Sequence, residues 1–362
     1  MTTNTTIIWL RAESKPHERR TPLAPDDARR LVDAGYRLVV ERSSMRCFED
    51  EAYERAGCEL APEGSWPEAP EDAFILGLKE LPDDGRALGH RHIYFAHAYK
   101  EQAGWRELLG RLKTGGGKLY DLEFLNGADG RRVAAFGFWA GFAGAAVAVM
   151  NWCGQRLGSD PVIGPLGWYP SQDRLIDELR GSVERACAEG ADRPRMIVIG
   201  ALGRTGTGAA GLARALDLEC TGWDLEETRK GGPFQEILTH DIFVNCVLVF
   251  AAVPPFVTPE LLSEPDRRLG VIADVSCDPY GDYNPLPIYD RCTTFDAPNL
   301  RLQGDPPLDL IAIDHLPSML PVESSEDYSS QLVGTLLQLD GDADGVWQRA
   351  IELYEQKIAL LD

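Results

Sequence analysis

The chain has 362 residues, more than one ordinary core holds, so two domains are expected. Hydrophobic residues make up 44% and charged residues 26%, a globular composition, and neither a low-complexity tract nor a repeat interrupts it. The formal net charge of −21 repels phosphate at long range, which excludes a general binder of nucleic acid or anionic membrane but leaves room for a small anion in a local basic pocket.

The opening MTTNTTIIWLRAE lacks the basic and long apolar regions of a signal peptide, and the closing ALLD is not a peroxisomal tripeptide. Residues 6–13 (TIIWLRAE) read as a strand. Residues 23–35 (LAPDDARRLVDAG) read as a helix with acids in its first turn and a glycine stop, and 36–41 (YRLVVE) as a second strand. In DAFILGLKELP (72–82) the apolar run Phe74 to Leu78 reads as a buried strand that ends abruptly in Lys79 and Glu80 and is closed by Pro82. Strand HIYFAHAY (92–99), helix EQAGWRELLGRLKTGG (101–116) and strand GKLYDLEFL (117–125) follow. Such alternation implies a parallel sheet with helices on both faces.

The strand tips carry the chemistry. The first runs into Glu13, Lys15, Glu18, Arg19 and Arg20; the next ones end at Lys79 with Glu80, at His97, and at Glu123, followed by Arg131 and Arg132. In an open parallel sheet the carboxyl ends of the strands share one edge, where ligands bind. Each residue alone reads as a solvated lysine or a hydrogen-bonded histidine. Four coincidences at equivalent positions point to a site.

Residues 136–153 (FGFWAGFAGAAVAVMNWC) carry no charge and reach spanning length, with Gly137 and Gly141 spaced as GxxxG. Alanine and glycine contribute little transfer energy, so the reading is a helix buried between two domains, its small residues admitting close backbone approach. After an amphipathic helix at 171–190, residues 194–228 run strand, glycine turn, helix, strand, acid. Gly200, Gly203, Gly206 and Gly208, with Arg204 and Thr205 among them, permit a tight turn and a pyrophosphate at a helix N-terminus. Asp224 stands where a carboxylate holds ribose hydroxyls, which favours NAD over NADP, tempered by Arg229 and Lys230 nearby. Strands at 241–250, with Cys246, and at 269–276 bring Asp274 and Ser276 to another carboxyl edge. A last strand, 308–313, leads into Asp314 and His315, where Asp314 reads as either a cofactor residue or a helix cap. Helical stretches at 324–338 and 344–360 are expected to pack back on the first domain. The division is thus 1–135 with 322–362, and 136–321. Eight cysteines without any CxxC pair indicate neither a zinc site nor a disulfide framework, so no metal is expected and a reducing cytoplasm fits.

The blocks LRAESKPHERRTPL, GLKELP, YFAHAYKEQAGW, YDLEFL, GRRVAAFGFWAGFAG, IGALGRTGTGA, WDLEETRKGGPF, DVSCDP with NPLPIY, and IDHLPSMLP together resemble the lysine-forming, NAD-dependent saccharopine dehydrogenases, in order and over nearly the whole chain. That family is related in fold to alanine dehydrogenase. The resemblance implies an α/β protein of two Rossmann-like domains with parallel sheets separated by a cleft. It implies reversible interconversion of saccharopine, NAD and water with lysine, 2-oxoglutarate and reduced NAD. By the same resemblance Lys79 and His97 look like the acid–base pair, tuned by Glu80 and Glu123; Lys15, Arg20, Arg131 and Arg132 match positions associated with substrate carboxylates, with Phe136 lining the pocket. Cofactor contacts are implied at Gly200, Gly203, Arg204, Thr205, Gly206, Asp224, Lys230, Cys246, Asp274, Ser276 and Asp314. The chain departs from the fungal pattern at Thr205, where those members carry cysteine, so no disulfide to Cys246 is available, and at Lys230, where arginine is usual.

This chemistry wants these residues. The secondary amine of saccharopine is protonated near neutral pH, and hydride cannot leave a carbon beside an ammonium until the nitrogen lone pair is freed. Lysine, ordinarily near pKa 10.4, must be held lower by burial or by cations to act as that base. Water must then add to an imine and its adduct collapse, which suits a histidine that takes and returns a proton. Three substrate carboxylates account for the remaining basic residues. Rival readings are an alanine-dehydrogenase-like or opine-type enzyme, which needs fewer carboxylate clamps, and a non-catalytic NAD-binding sensor, against which the joint presence of Lys79, His97 and Glu123 speaks. Partners are small molecules, and a monomer is compatible with the sequence.

Overall fold

Short, almost wholly apolar runs seed both sheets of the protein. The computed structural model describes residues 5–190, 192–249 and 251–361. These fall into two units, one comprising the chain up to Ala135 together with Pro321 onward, the other Phe136–Leu320.

The first unit opens with Ile7–Leu10 (β1), Pro25–Asp33 (α1), Arg37–Glu41 (β2), Asp50–Arg55 (α2), Glu59–Ala61 (β3), Phe74–Leu76 (β4), Arg91–Tyr94 (β5), Trp105–Gly115 (α3) and Lys118–Asp121 (β6). The strands form one sheet in the order β3-β2-β1-β4-β5-β6, every pair parallel. Parallel strands are covered on both faces and so read as continuous apolar runs; Phe74, Ile75 and Leu76 are all buried. Helix α1 starts with Pro25 and places Asp26 and Asp27 in its first turn, where the helix dipole favours them. In the sheet β1 lies beside β4, β4 beside β5 and β5 beside β6, so the four tips singled out in the sequence stand in one row.

The second unit contains Gly137–Arg156 (α4), Gln172–Ala188 (α5), Met196–Ile199 (β7), Arg204–Ala215 (α6), Cys220–Trp223 (β8), Leu225–Thr228 (α7), Ile242–Asn245 (β9), Pro259–Leu262 (α8), Val271–Asp274 (β10), Leu300–Gly304 (β11) and Pro307–Ile311 (β12). Its sheet runs β11-β12-β10-β9-β7-β8, parallel except for the antiparallel edge pair β11 and β12. The glycine-rich α4 packs on α6 backbone to backbone: a Cβ at Gly141 would fall on the carbonyl oxygen of Thr205, and one at Gly208 on that of Phe138. GxxxG spacing here serves helix packing inside a core that includes Phe142, Val147 and Leu212. Among the described residues no helix is long and apolar enough to cross a membrane.

The chain then returns to the first unit as Pro321–Leu336 (α9) and Val346–Ile358 (α10). Buried serines of α9 tie it down: Ser325 accepts the Thr21 N–H at 3.0 Å, and Ser329 accepts the Ala24 N–H at 2.9 Å while donating to Asp27 at 2.6 Å. Tyr354 of α10 donates to the Gly117 carbonyl at 2.8 Å.

Strands are shorter than the apolar runs suggest. The run at 6–13 yields β1 only to Leu10, because Arg11 and Glu13 turn their side chains onto the next strand's tip, and the run at 241–250 yields β9 to Asn245, whose side chain accepts the Val247 N–H at 3.3 Å. Phe250, at the end of that run, lies outside the described residues. Elements not anticipated are α2, β3, β11 and the short helices α7 and α8.

Candidate active site

Lys79 leaves β4 in a held backbone. The buried Glu13 carboxylate accepts the N–H of Leu78 at 2.7 Å and of Lys79 at 2.8 Å, and the Arg11 guanidinium, 3.4 Å from Glu13, donates to the Lys79 carbonyl. Glu13 faces three N–H donors, the arrangement of an ionised carboxylate, although burial pushes its pKa upward against the pull of Arg11. Neither Arg11 nor the clamp was legible in the sequence. An acid directly after an apolar strand run was the available signal.

Beside it, Glu18 and Arg20 form a forked pair, with Arg20 Nε at 2.8 Å and Nη2 at 2.7 Å from the two carboxylate oxygens and both side chains only 3% exposed. Lys79 feels both. Its pKa is lowered by burial first, then by the positive charges of Arg20 and Lys15, while Glu18 and Glu80 oppose. The depression expected for a lysine base is therefore present. The carboxylate that restrains it alongside Glu80 is Glu18, however, where the sequence reading had paired Glu80 with Glu123.

Glu123 belongs to the histidine. His97, in a left-handed backbone conformation at φ 53°, sits with Nε2 3.4 Å from Glu80 and Nδ1 3.6 Å from Glu123, its ring stacked on Phe95. Its pKa is raised, chiefly by Glu123 and further by Glu80, against burial and Lys79. Glu123 also takes Lys100 at 2.7 Å and Arg132 at 3.6 Å, and these cations with His97 hold its carboxyl down from 4.5 to about 2. Beneath the pair, buried Asp121 accepts the Glu123 N–H at 2.9 Å, and burial pushes its carboxyl up to about 6. Lys15 reaches Glu80 at 3.6 Å, whereas Arg131 is 86% exposed and nearest Asp129 at 3.9 Å. The structure thus assembles Lys15, Arg20, Lys79, Glu80, His97, Glu123 and Arg132 along one edge of the first unit's sheet. Phe136 stands at the start of α4 in the second unit, half-buried.

In the second unit the glycine turn joins β7 to α6. Gly200 has φ 86°, and a Cβ at Gly206 would collide with the Gly200 carbonyl oxygen, so both positions demand glycine. The turn borders a cavity of about 1060 Å³ lined by Gly200, Gly203, Asp224, Arg229 and Cys246 and walled by apolar side chains, of which Leu202 and Leu225 are 82% and 81% exposed. Asp224 ends β8 and ties the turn to α7: its oxygens accept the N–H groups of Leu202 and Leu225, each at 2.9 Å, and its own N–H donates to Glu227 at 2.8 Å. A narrow backbone turn before a helix N-terminus, a carboxylate at the next strand's end and apolar walls fit a dinucleotide.

Other candidate cofactor residues are placed less directly. Arg204 is the exposed first residue of α6, and Thr205 follows it. Lys230 is drawn to Glu236 and lies 5.2 Å from the centre of the Trp223 ring, while its neighbour Arg229 lines the cavity. Asp274 is 1% exposed and fully engaged, by Tyr289 at 2.6 Å, Ser276 at 2.5 Å and Asn245 at 2.9 Å. Asp314 is exposed beyond β12, and the turn after it starts at His315 with no side-chain cap, so a capping role for Asp314 is not realised.

Comparison with known proteins sharpens this picture. Residues 9–143 match the family described as alanine dehydrogenase/PNT, N-terminal domain. The chain is 48% identical over 363 residues to "Saccharopine dehydrogenase [NAD(+), L-lysine-forming]" of Schizosaccharomyces pombe, covering 98% of this chain and 99% of that one. It is 50% identical over 368 residues to the protein of the same name from Emericella nidulans, with 98% of each covered. Among solved structures, an L-alanine dehydrogenase superposes with a TM-score of 0.67 at 17% identity, covering 99% of this chain and all of that one, and a transhydrogenase from Sinorhizobium meliloti with 0.64 at 17%, covering 96% and 97%. These two speak to the fold alone.

Proposed function

Because the chain belongs to the NAD(+)-dependent, L-lysine-forming saccharopine dehydrogenases, we propose that the groups at the tips of β1, β4, β5 and β6 perform the acid–base steps of that reaction. The protein is an oxidoreductase acting on a CH–NH group: saccharopine, NAD and water are interconverted with lysine, 2-oxoglutarate, reduced NAD and a proton. What NAD supplies when bound is a hydride acceptor. Gly200, Gly203 and Gly206 would receive its pyrophosphate and Asp224 its adenosine ribose, with Arg204, Thr205, Arg229 and Cys246 around them.

Lys79 takes the proton from the secondary ammonium, which frees the lone pair that drives hydride departure. Burial and the Arg20 and Lys15 charges keep it less basic than an ordinary lysine, which favours the neutral form that this step needs. His97 takes a proton from the water that adds to the carbon–nitrogen double bond and returns it to the departing amine. Glu80 and Glu123 keep the ring basic enough for both transfers. Lys15, Arg132 and the exposed Arg131 offer charge to the substrate carboxylates. Arg20, its fork on Glu18, acts on Lys79 through its charge.

The observation that carries this reading is a lysine with lowered pKa and a histidine flanked by two carboxylates on adjoining strand tips of one sheet. Every proposed residue comes from one chain, so a monomer suffices, and a reducing cytoplasm is the proposed setting. The test is consumption of reduced NAD with lysine plus 2-oxoglutarate, against ammonia plus pyruvate, each repeated with reduced NADP. Turnover only with lysine, 2-oxoglutarate and reduced NAD supports the reading; turnover only with ammonia discards it.

A further inference from the structure

Two thiols that the reaction does not use face each other in the second unit. Cys277 and Cys292 have their sulfurs 3.3 Å apart. Cys277 follows β10 and Ser276, with a left-handed φ of 50°. Cys292 is exposed and precedes Thr293, which exchanges two bonds with Ala312 just past β12, N–H to carbonyl at 2.7 Å and hydroxyl from the Ala312 N–H at 2.9 Å. Because β10 and β12 are neighbours in the sheet, both sulfurs are carried by anchored backbone at one carboxyl edge. The intervening segment is anchored too, by buried Leu286 and by Tyr289 on Asp274.

We propose that Cys277 and Cys292 are a thiol–disulfide exchange site, closed by a glutathione-type disulfide and coupled to the cofactor edge of the second unit. A disulfide needs its sulfurs near 2.05 Å, so the pair must close by about 1.2 Å, within reach of side-chain rotation. Cys292, the exposed partner, attacks the small disulfide as thiolate, forming a mixed disulfide and expelling one small thiolate. The Cys277 sulfur, once deprotonated, then attacks the Cys292 sulfur and expels the second. The protein thiols lose two hydrogens and two electrons, and the small disulfide gains them as two thiols. Burial and the adjoining Cys292, Asp314 and Asp274 push the Cys277 thiol upward, so the exposed Cys292 and not Cys277 makes the first attack.

The coupling follows from sequence neighbours. Ser276, one residue before Cys277, donates to Asp274 and accepts from Asn245, so drawing Cys277 across strains that network. This consequence rests on the proposed placement of NAD at that edge.

The test incubates the full chain with oxidised glutathione, followed by intact-mass measurement, peptide mapping and NAD titration before and after reductant. Expected are loss of two hydrogens without a retained adduct, a Cys277–Cys292 linked peptide, and NAD affinity weakened at least about 5-fold and restored by reductant. Cys277→Ser should stop at a stable glutathione adduct on Cys292 and keep wild-type NAD affinity. A wild type that also stops at the adduct, or links Cys292 elsewhere, overturns the site. Full linkage with unchanged NAD affinity overturns the coupling while leaving the dehydrogenase reading intact, since that is judged by the substrate assay on reduced protein.

Discussion

Replacing Glu13 by glutamine probes how the lysine is held. The carboxylate accepts two backbone N–H groups, from Leu78 at 2.7 Å and Lys79 at 2.8 Å, and pairs with Arg11 at 3.4 Å, where Glu13 is 6% and Arg11 2% exposed. An amide keeps one acceptor oxygen and turns an NH₂ toward a donor. One charge-assisted bond is lost, about 1.5–3 kcal/mol, and a nearly buried guanidinium loses its counter-charge, which brings the cost toward about 3–5 kcal/mol. Arg11 retains bonds to the carbonyls of Ala12 and Lys79, so the lower part of that range is expected. Displacement of the Lys79 peptide by even about 1 Å should reduce kcat on the order of 10²-fold. The assays are urea unfolding, steady-state oxidation of saccharopine, and NAD titration, the last expected to stay unchanged because the glycine turn lies in the other unit. E13Q with wild-type kcat and stability would refute the clamp.

The remaining expectations are these. Glu123→Gln removes the main influence that raises the His97 pKa, so the acid limb of the kcat profile, which reports protonated His97, should move to lower pH; an unmoved limb removes histidine from the rate-governing steps. Because the Glu123 carboxyl falls from 4.5 to about 2 on folding, its stabilisation is complete above about pH 4.5 and lost as pH falls toward 2. Urea unfolding at neutral pH should show a deficit in E123Q of roughly 1 kcal/mol, discounted for solvent screening, that shrinks across that window. Gly206→Ala places a methyl against the Gly200 carbonyl and should weaken NAD binding at least about 10-fold by forcing the turn open, read by fluorescence titration; unchanged affinity would detach the turn from the cofactor.

The alternation of strands and helices and the order strand, glycine turn, helix, strand, acid were legible because parallel strands bury both faces and a pyrophosphate turn demands glycine. β3 was not, since three residues on an edge set up no periodicity, and neither was the antiparallel β11, whose LRLQG alternates apolar and polar over only four residues before its glycine. Lys79, His97 and Glu123 stood out as charges at the ends of apolar runs. The functions of Glu13, Glu18 and Asp121 did not: Glu13 bonds a backbone 65 and 66 positions away, and a carboxylate looks the same in sequence whether it meets solvent or a peptide N–H. The resemblance assigns Arg20 to a substrate carboxylate, and its fork on Glu18, two residues back and buried with it, was hidden for the same reason.

Lys79 is proposed as the base that deprotonates the amine, and Lys79→Met tests that role most directly. Single-turnover oxidation of saccharopine, with NAD affinity measured on the same preparation, should show near-complete loss of hydride transfer at neutral pH, partial recovery as rising pH deprotonates the free amine, and wild-type NAD binding. Hydride transfer at the wild-type rate and with the wild-type pH dependence would contradict it.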